Sequence, residues 1–285
     1  MNHVAELAIH QYLTDASNGK SKMSDKTIDT IATDIKDALK RQFGSNNRRK
    51  EFSLRMSNIG RPSCQLWFEK NQPEKALPKN NNFVMNMMLG DIVEAVFKGV
   101  LTEAKIKYKD SEKCELKVDD TTITGTYDLI IDDAVDDIKS ASDWSYRNKF
   151  KSFEILNEED SFGYVSQLVG YADATNTKVG GWWAVNKATG EFKYVSASSV
   201  DLKEQRKKIK QTVTDVNNNV FKRCFEPEEE TFRGKLTGNK VLNKNCRFCS
   251  YRKACWPKSI DKPAVKSIAK DPKIVSYIEL SSEYQ

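Results

Sequence analysis

A chain of 285 residues, 39% hydrophobic and 30% charged, is long enough to bury one large core or two modest ones and is too apolar to stay disordered. No apolar run approaches the roughly 18 residues of a membrane span, and MNHVAELAIHQYL lacks the basic region, long apolar run and cleavage site of a signal peptide, so a soluble cytoplasmic protein is expected. The formal charge of +6 permits a polyanionic partner without requiring one, and with only His3 and His10 in the chain, histidine-based catalysis is disfavoured.

Residues 24–43, SDKTIDTIATDIKDALKRQF, place Ile28, Ile31, Ile35 and Leu39 at helical spacing, with Ser24 or Asp25 as cap and Gly44 past the end. In the basic loop that follows, Arg48, Arg49 and Lys50 read either as phosphate contacts or as a solvated run. A turn at Gly60-Arg61-Pro62 then leads into a helix carrying Cys64, Leu66 and Trp67. A longer helix is expected over 83–103, with Met88, Leu89, Ile92, Val93, Val96 and Val100 as its core stripe and Glu94 at the stripe's edge. Strands are expected at 113–118 and 121–126, a helix over 160–175, and a hairpin of GGWWAVN and EFKYVSA around KATG. Trp182 and Trp183 are neighbours in that hairpin, so strand alternation sends at least one into the core, with base stacking as the minor reading. A polar-faced helix follows near 201–222. Residues 226–245 read as a loop that delivers the last cysteines, and the end of the chain reads as peripheral.

The stretch TITGTYDLIIDDAVDDIKS, residues 122–140, is densely acidic between two short β-like runs. A two-residue turn at Asp132-Asp133 pairs Ile131 with Ala134 and sets Asp128 opposite Asp137. Directly paired residues have Cβ atoms about 5 Å apart, close enough to share a divalent cation. Alternation puts Asp137 and Lys139 on one face and Ile138 on the other. Oxygen ligands suit Mg²⁺ or Mn²⁺, ions that activate water and stabilise charge on a transferring phosphate. Lys139 adds a cation for the water or the scissile phosphate. Gln167 and Tyr171 lie four apart on one helical face, with Tyr164 on the same stripe, and offer groups to order phosphate or water. Each piece alone is also what an acidic hairpin tip or ordinary helix packing would give.

The six cysteines are Cys64, Cys114, Cys224, Cys246, Cys249 and Cys255, three of them in the C-x2-C-x5-C run CRFCSYRKAC. Three nearby thiols need one distant partner to complete tetrahedral sulfur coordination. Spacing alone does not choose zinc over iron, and buried reduced thiols or a redox-active C-x-x-C are the plain alternative.

Taken in order, these elements resemble the PD-(D/E)XK nuclease superfamily, specifically the RecB-like exonucleases with an iron–sulfur cluster found among CRISPR-associated proteins, helicase–nucleases and phages. Gly90-DIV-Glu94 resembles the family's helical G-x-x-x-[His/Glu] element. GTYD ending at Asp128, with Asp137-Ile138-Lys139, resembles its central catalytic pair, and Gln167-LVG-Tyr171 its Q-x-x-x-Y element. Cys64 followed by Cys246, Cys249 and Cys255 resembles its split cluster ligands, so the resemblance covers about residues 55–256.

The resemblance implies an α/β fold: a restriction-endonuclease-like core with a central mixed β-sheet flanked by helices, a helical N-terminal region and a C-terminal iron–sulfur region. It suggests boundaries at 1–82, 83–225 and 226–285 within one integrated unit. It also implies that Glu94, Asp128 and Asp137 bind Mg²⁺ or Mn²⁺ with the Ile138 carbonyl, that Lys139 is catalytic, and that Gln167 and Tyr171 position substrate or water. Glu94 stands where many relatives have histidine. Cys64, Cys246, Cys249 and Cys255 would hold a [4Fe–4S] cluster, with zinc as the alternative, while Cys114 and Cys224 fall outside the pattern as structural thiols. The expected activity is a DNA exonuclease acting on single strands or ends in recombination, replication or repair, in the host cytoplasm if phage-encoded, with recombination or replication proteins or a second copy as partners. A structure-specific endonuclease and a noncatalytic nucleic-acid-binding module are the alternatives.

Overall fold

The computed structural model describes residues 3–44, 51–265 and 267–283; Arg48, Arg49 and Lys50 lie outside them. The chain divides into two units, Met1–Gly60 with Asn80–Val213, and Arg61–Lys79 with Thr214–Gln285.

The first unit opens with helices α1 (Val4–Ser17) and α2 (Asp25–Phe43). Ser24 starts α2 as an N-cap, its hydroxyl accepting the Thr27 N–H. The expected α2 stripe is rotated: Ile28 and Leu39 are exposed, while Thr27 and Ala38 are buried beside the half-buried Ile31 and Ile35. The reason is a close approach to a later helix, where a Cβ at Gly99 would overlap the Ile31 side chain. Helix α3 (Ser63–Asn71) opens the second unit, and α4 (Phe83–Glu103) returns to the first. On α4, Leu89 and Val96 are exposed, contrary to the expected stripe. The buried arc is instead Met88, Ala95 and 97–101, because this half of the helix meets both α2 and the sheet.

Strands β1 (Lys113–Val118) and β2 (Thr121–Thr126) pair antiparallel as a two-stranded ribbon. The main sheet comprises β3 (Leu129–Ile131), β4 (Ala134–Ala141), β5 (Lys178–Asn186) and β6 (Phe192–Ser196), in that spatial order. Pairing runs antiparallel, parallel, antiparallel, so the sheet is mixed. The parallel β4–β5 pair is crossed by α5 (Asp143–Arg147), α6 (Phe153–Glu158) and α7 (Tyr164–Thr175). One face packs α1 and α4 over Leu129, Ile131, Ile138 and Trp183; the other packs α7 over β4 and β5. This is an α/β fold whose mixed sheet is flanked by helices, as in a restriction-endonuclease-like core. Trp182 and Trp183 are both fully buried, on opposite faces, and neither is free to stack on a base.

Helix α8 (Leu202–Asn218) follows. The second unit then departs from the sequence reading. The expected loop at 226–245 contains the hairpin β7 (Glu228–Phe232) and β8 (Lys235–Val241). After the short helix α9 (Arg252–Cys255), the supposedly peripheral end supplies β9 (Ile260–Pro263) and β10 (Ile274–Glu279). They form one antiparallel sheet in the order β7-β8-β10-β9. Its interior is polar: Glu230 accepts from Thr237, Asn239 and Tyr277, each at 2.8 Å. Hydrophobic alternation therefore gives no signal for these strands.

Candidate active site

Asp132 and Asp133 both adopt positive φ, 48° and 60°, the conformation of a two-residue hairpin turn whose twist matches the flanking strands. The turn pairs Ile131 with Ala134 and Leu129 with Asp136, which leaves Asp128 one step beyond the strand. From there its carboxylate Oδ2 accepts the Ile138 N–H at 2.8 Å. The single bond ties Asp128 to the strand that carries Asp137. Ile138 itself is buried against Leu129 and Trp183, a burial that contributes about 2 kcal/mol and fixes which face Asp137 and Lys139 present.

Asp136 and Asp137 have opposite surroundings. Asp136 is 1% exposed and its carboxylate accepts from the Gly181 N–H, the Tyr194 hydroxyl and the Trp183 indole at 2.8, 2.8 and 3.2 Å. The β4–β5 register shifts at this point, Val135 pairing with Val179 but Asp137 with Trp182. The carboxylate occupies the resulting gap, where a Cβ at Gly180 would overlap it. Burial still raises the Asp136 carboxyl to about 7, against the lowering by Tyr194, Gly181 and Trp183.

Asp137 is 2% exposed, and its Oδ2 lies 2.6 Å from the Lys139 ammonium but has no hydrogen bond of normal geometry. Burial raises the Asp137 carboxyl, with Lys139 opposing and Glu94 adding to the shift. Asp128 is raised further, first by burial and then by the charges of Asp137 and Glu94. Burial works against the Lys139 charge, yet Asp137 and Asp128 hold its ammonium above the ordinary value.

Helix α7 brings the remaining predicted groups. Asp160 starts it by accepting three backbone N–H groups, of Gly163, Tyr164 and Val165, at 2.8–2.9 Å. Gly163, at φ +79°, crosses Gly60 so closely that a Cβ on either would overlap the other's main chain. Gln167 donates to the Tyr171 hydroxyl at 3.4 Å. Tyr171 is raised by burial, and the charges of Asp137 and Asp128 add to the shift, which places its hydroxyl within their electrostatic reach. Gly125, in GTYD, leaves room for Tyr171, because a Cβ there would overlap that ring and Met56. Tyr164 lies under the Lys139 ammonium, 5.1 Å from ring centre.

Glu94 faces the same group of charges from α4, but its Oε1 accepts from Lys98 at 2.8 Å, and Lys98 also pairs with Asp110 at 2.9 Å. Sequence reasoning passed over Lys98, although its i,i+4 spacing from Glu94 was visible; it also passed over Asp160. Gly90, by contrast, faces open space, and packing gives no reason for it. Among the described residues, no three His, Cys, Asp or Glu side chains close on a common metal-binding point. Glu94 is turned to Lys98, Asp128 to the Ile138 N–H and Asp137 to Lys139. The all-oxygen donor set nonetheless suits a hard cation such as Mg²⁺ or Mn²⁺. Such an ion would add a second charge partner to Asp137 Oδ2 beside the Lys139 ammonium and offset the repulsion that raises Asp128 and Asp137.

The cysteines of the predicted cluster all lie in the second unit, unbridged by disulfides. Cys64 sits on the first turn of α3, which packs through Trp67 and Phe68 on Phe221 and through Phe68 on Tyr251. These contacts bring Cys64 toward the segments holding Cys224, Cys249 and Cys255. Cys224, set aside in the sequence as a structural thiol, accepts the Cys64 N–H at 3.1 Å. Their thiol contact raises Cys64 and holds Cys224 at about 6. Burial raises Cys246 to about 12 and also raises Cys249 and Cys255.

The family model described as the PD-(D/E)XK nuclease superfamily matches residues 9–256. The chain belongs to the PD-(D/E)XK nuclease superfamily. Comparison with curated proteins gives no match. Among solved structures, one described as "Crystal structure of SSO0001" is 13% identical at a TM-score of 0.38, covering 68% of this chain and 88% of that one. Membership in this nuclease superfamily associates the chain with nucleic-acid hydrolysis, and among the described residues no helix is long and apolar enough to cross a membrane.

Proposed function

We propose that this PD-(D/E)XK protein is a divalent-metal-dependent DNA exonuclease that hydrolyses phosphodiester bonds at single strands or ends. The observation that carries the reading is the buried Asp137 carboxylate, lacking a proper hydrogen bond at Oδ2, beside Asp128 and Lys139 at one end of the sheet. Glu94, Asp128, Asp137 and the Ile138 carbonyl would hold Mg²⁺ or Mn²⁺, which would supply a Lewis acid for water and for charge on phosphate. Lys139 neutralises charge that develops on the phosphoryl oxygens. Gln167 and Tyr171, already joined to each other, order the attacking water or the phosphate. The water oxygen bonds to phosphorus as the bridging ester bond breaks, and the proton that water gives up ends on the leaving oxygen.

In the second unit, Cys64, Cys246, Cys249 and Cys255 are proposed to hold a [4Fe–4S] cluster with a structural role, joining α3 to the C-terminal segments of that unit. A cluster predicts brown protein after anaerobic purification, with near-equal iron and sulfide. Zinc without sulfide would replace the cluster reading. The protein would act in the cytoplasm, a host's if the source is a phage, beside recombination or replication proteins.

The decisive experiment incubates anaerobically purified protein with end-labelled single-stranded, duplex and circular DNA, with Mg²⁺ or Mn²⁺. Loss of linear DNA alone is the expected result, whereas cleavage of circles would make the enzyme an endonuclease. Asp137→Ala and Lys139→Ala should abolish cleavage in folded protein. Full activity in both would overturn the assignment, and DNA binding without turnover in either metal would make the protein a binding module.

A further inference from the structure

Lys149 has no part in the hydrolysis described above, yet it is 6% exposed, a costly place for an ammonium. It lies in the short 3₁₀ turn Lys149–Lys151 that follows α5, in the crossover leaving β4. Its ammonium sits over two rings, 4.4 Å from the centre of Tyr164 and 4.8 Å from that of Phe162. Burial lowers its pKa. Asp160 and Glu159 favour its charge and Lys139 opposes it, and neither carboxylate is bonded to it.

Tyr164 is thus shared by two cations, the proposed catalytic Lys139 and Lys149. The ring also belongs to a column. Phe150, fully buried, stacks on Tyr164 at 6.2 Å with planes 21° apart, and Phe162 stacks on Tyr164 at 5.7 Å and 16°. Phe162 ends the column toward solvent and is 48% exposed. A ring stack that is anchored in the core, open at its outer end and flanked by two ammonium groups has the form of a single-strand binding surface. There, aromatic rings take successive bases while cations follow the backbone.

We propose that Phe162, Tyr164 and Lys149 form a subsite for the nucleotide next to the scissile phosphate. An unpaired base stacks on Phe162 and the adjoining phosphate lies on Lys149, so the substrate class is single-stranded nucleic acid, DNA in the reading above. The subsite rests on that reading for its place in the reaction. Bases inside a duplex are covered by their neighbours and cannot reach Phe162, so a paired end must fray before it engages. A phosphate at Lys149 would also give its ammonium a direct anionic partner, where among the described residues Asp160 and Glu159 act on it only through space.

The test measures binding apart from turnover. Wild type, Phe162→Ala, Lys149→Gln and Lys149→Arg are titrated with a fluorescent single strand, with the same strand in a blunt duplex, and with strands each lacking one base. Divalent metal is chelated, so no strand is cut. Phe162 is exposed, and its truncation should leave the fold intact. Phe162→Ala should bind the intact strand about tenfold more weakly. Removing the base at one position should cost wild type the same factor and cost Phe162→Ala nothing. Lys149→Gln should weaken binding and lower the salt slope by about 0.7, and Lys149→Arg should restore both. Unchanged binding by Phe162→Ala, or the same base-removal profile in both proteins, overturns the subsite. Equal weakening on the blunt duplex overturns the single-strand assignment. Turnover is read separately with Mg²⁺ or Mn²⁺. Cutting without the Phe162 signature refutes the subsite alone, and the signature without cutting refutes the nuclease reading alone.

Discussion

The two faces of β4 carry adjacent aspartates that are almost equally buried and differently equipped. On the α4 face, Asp136 has three donors and a gap in the sheet shaped to hold it. On the α7 face, Asp137 has an ammonium against one oxygen and no hydrogen bond of normal geometry there. Burial alone does not distinguish a structural carboxylate from a reactive one. The kind of partner does, because three fixed donors make Asp136 part of the scaffold, while Asp137, held at Oδ2 by a side-chain ammonium, can exchange or share that charge with a ligand.

The contrast is broken most directly by truncating each residue in turn. Asp137→Ala should lower DNA cleavage by about a thousandfold or more, the kinetic equivalent of several kcal/mol of lost charge stabilisation, with little loss of Tm. Asp136→Ala should act the other way. It strands the donors of Gly181, Trp183 and Tyr194, so urea denaturation should show a loss of about 3 kcal/mol, while the folded fraction keeps its turnover. Equal effects of the two on activity would end the distinction.

A smaller effect tests how the α7 face is held. Asp160→Ala removes the acceptor for three N–H groups at the start of the helix. It should cost about 1 to 2 kcal/mol in denaturant titration, and Gln167 and Tyr171 should show the loosening as reduced kcat. The smallest effect is on the pH dependence. The folded protein holds the Asp136 proton more tightly than the unfolded chain does. The stability from this group is therefore complete below its ordinary value of 3.8 and is lost as pH rises through about 7. Asp136→Asn should flatten part of the fall in Tm across that window. The part that remains includes Asp128 and Asp137, which shift in the same direction, as does Asp34 away from the site, and added Mn²⁺ should reduce it. A slope in Asp136→Asn identical to wild type would return Asp136 to an ordinary acid.

The sequence made the hairpin legible because its alternation is clean: Ile138 is apolar between two charged residues, and one face is buried. β1 and β2 fall where their pattern put them for the same reason. The helical stripes were less legible. Gly99 lets α2 and α4 approach closely, and this turned α2 to bury Thr27 and Ala38 instead of Ile28 and Leu39. The β7-β8-β10-β9 sheet could not be seen from hydropathy at all, since its interior is organised on Glu230. At the candidate site, sequence order supplied Glu94, Asp128, Asp137, Lys139, Gln167 and Tyr171; in the structure the charges of Glu94 and Lys139 act on Asp128 and Asp137, and Tyr171, bonded to Gln167, feels the two aspartates. Their supports were read from three dimensions: Lys98 on Glu94, whose i,i+4 spacing the sequence also shows, Asp160 under α7, and the cradle around Asp136. Each joins segments distant in the chain or depends on a side chain's direction.

The crossing of Gly60 and Gly163 has a consequence for anyone who maps this protein by random substitution. A library scored for activity should mark both positions as intolerant, since any side chain there pushes apart two stretches of main chain and tilts the helix that bears Gln167 and Tyr171. The map would rank two residues without side chains beside the carboxylates, for a reason of clearance and not of chemistry.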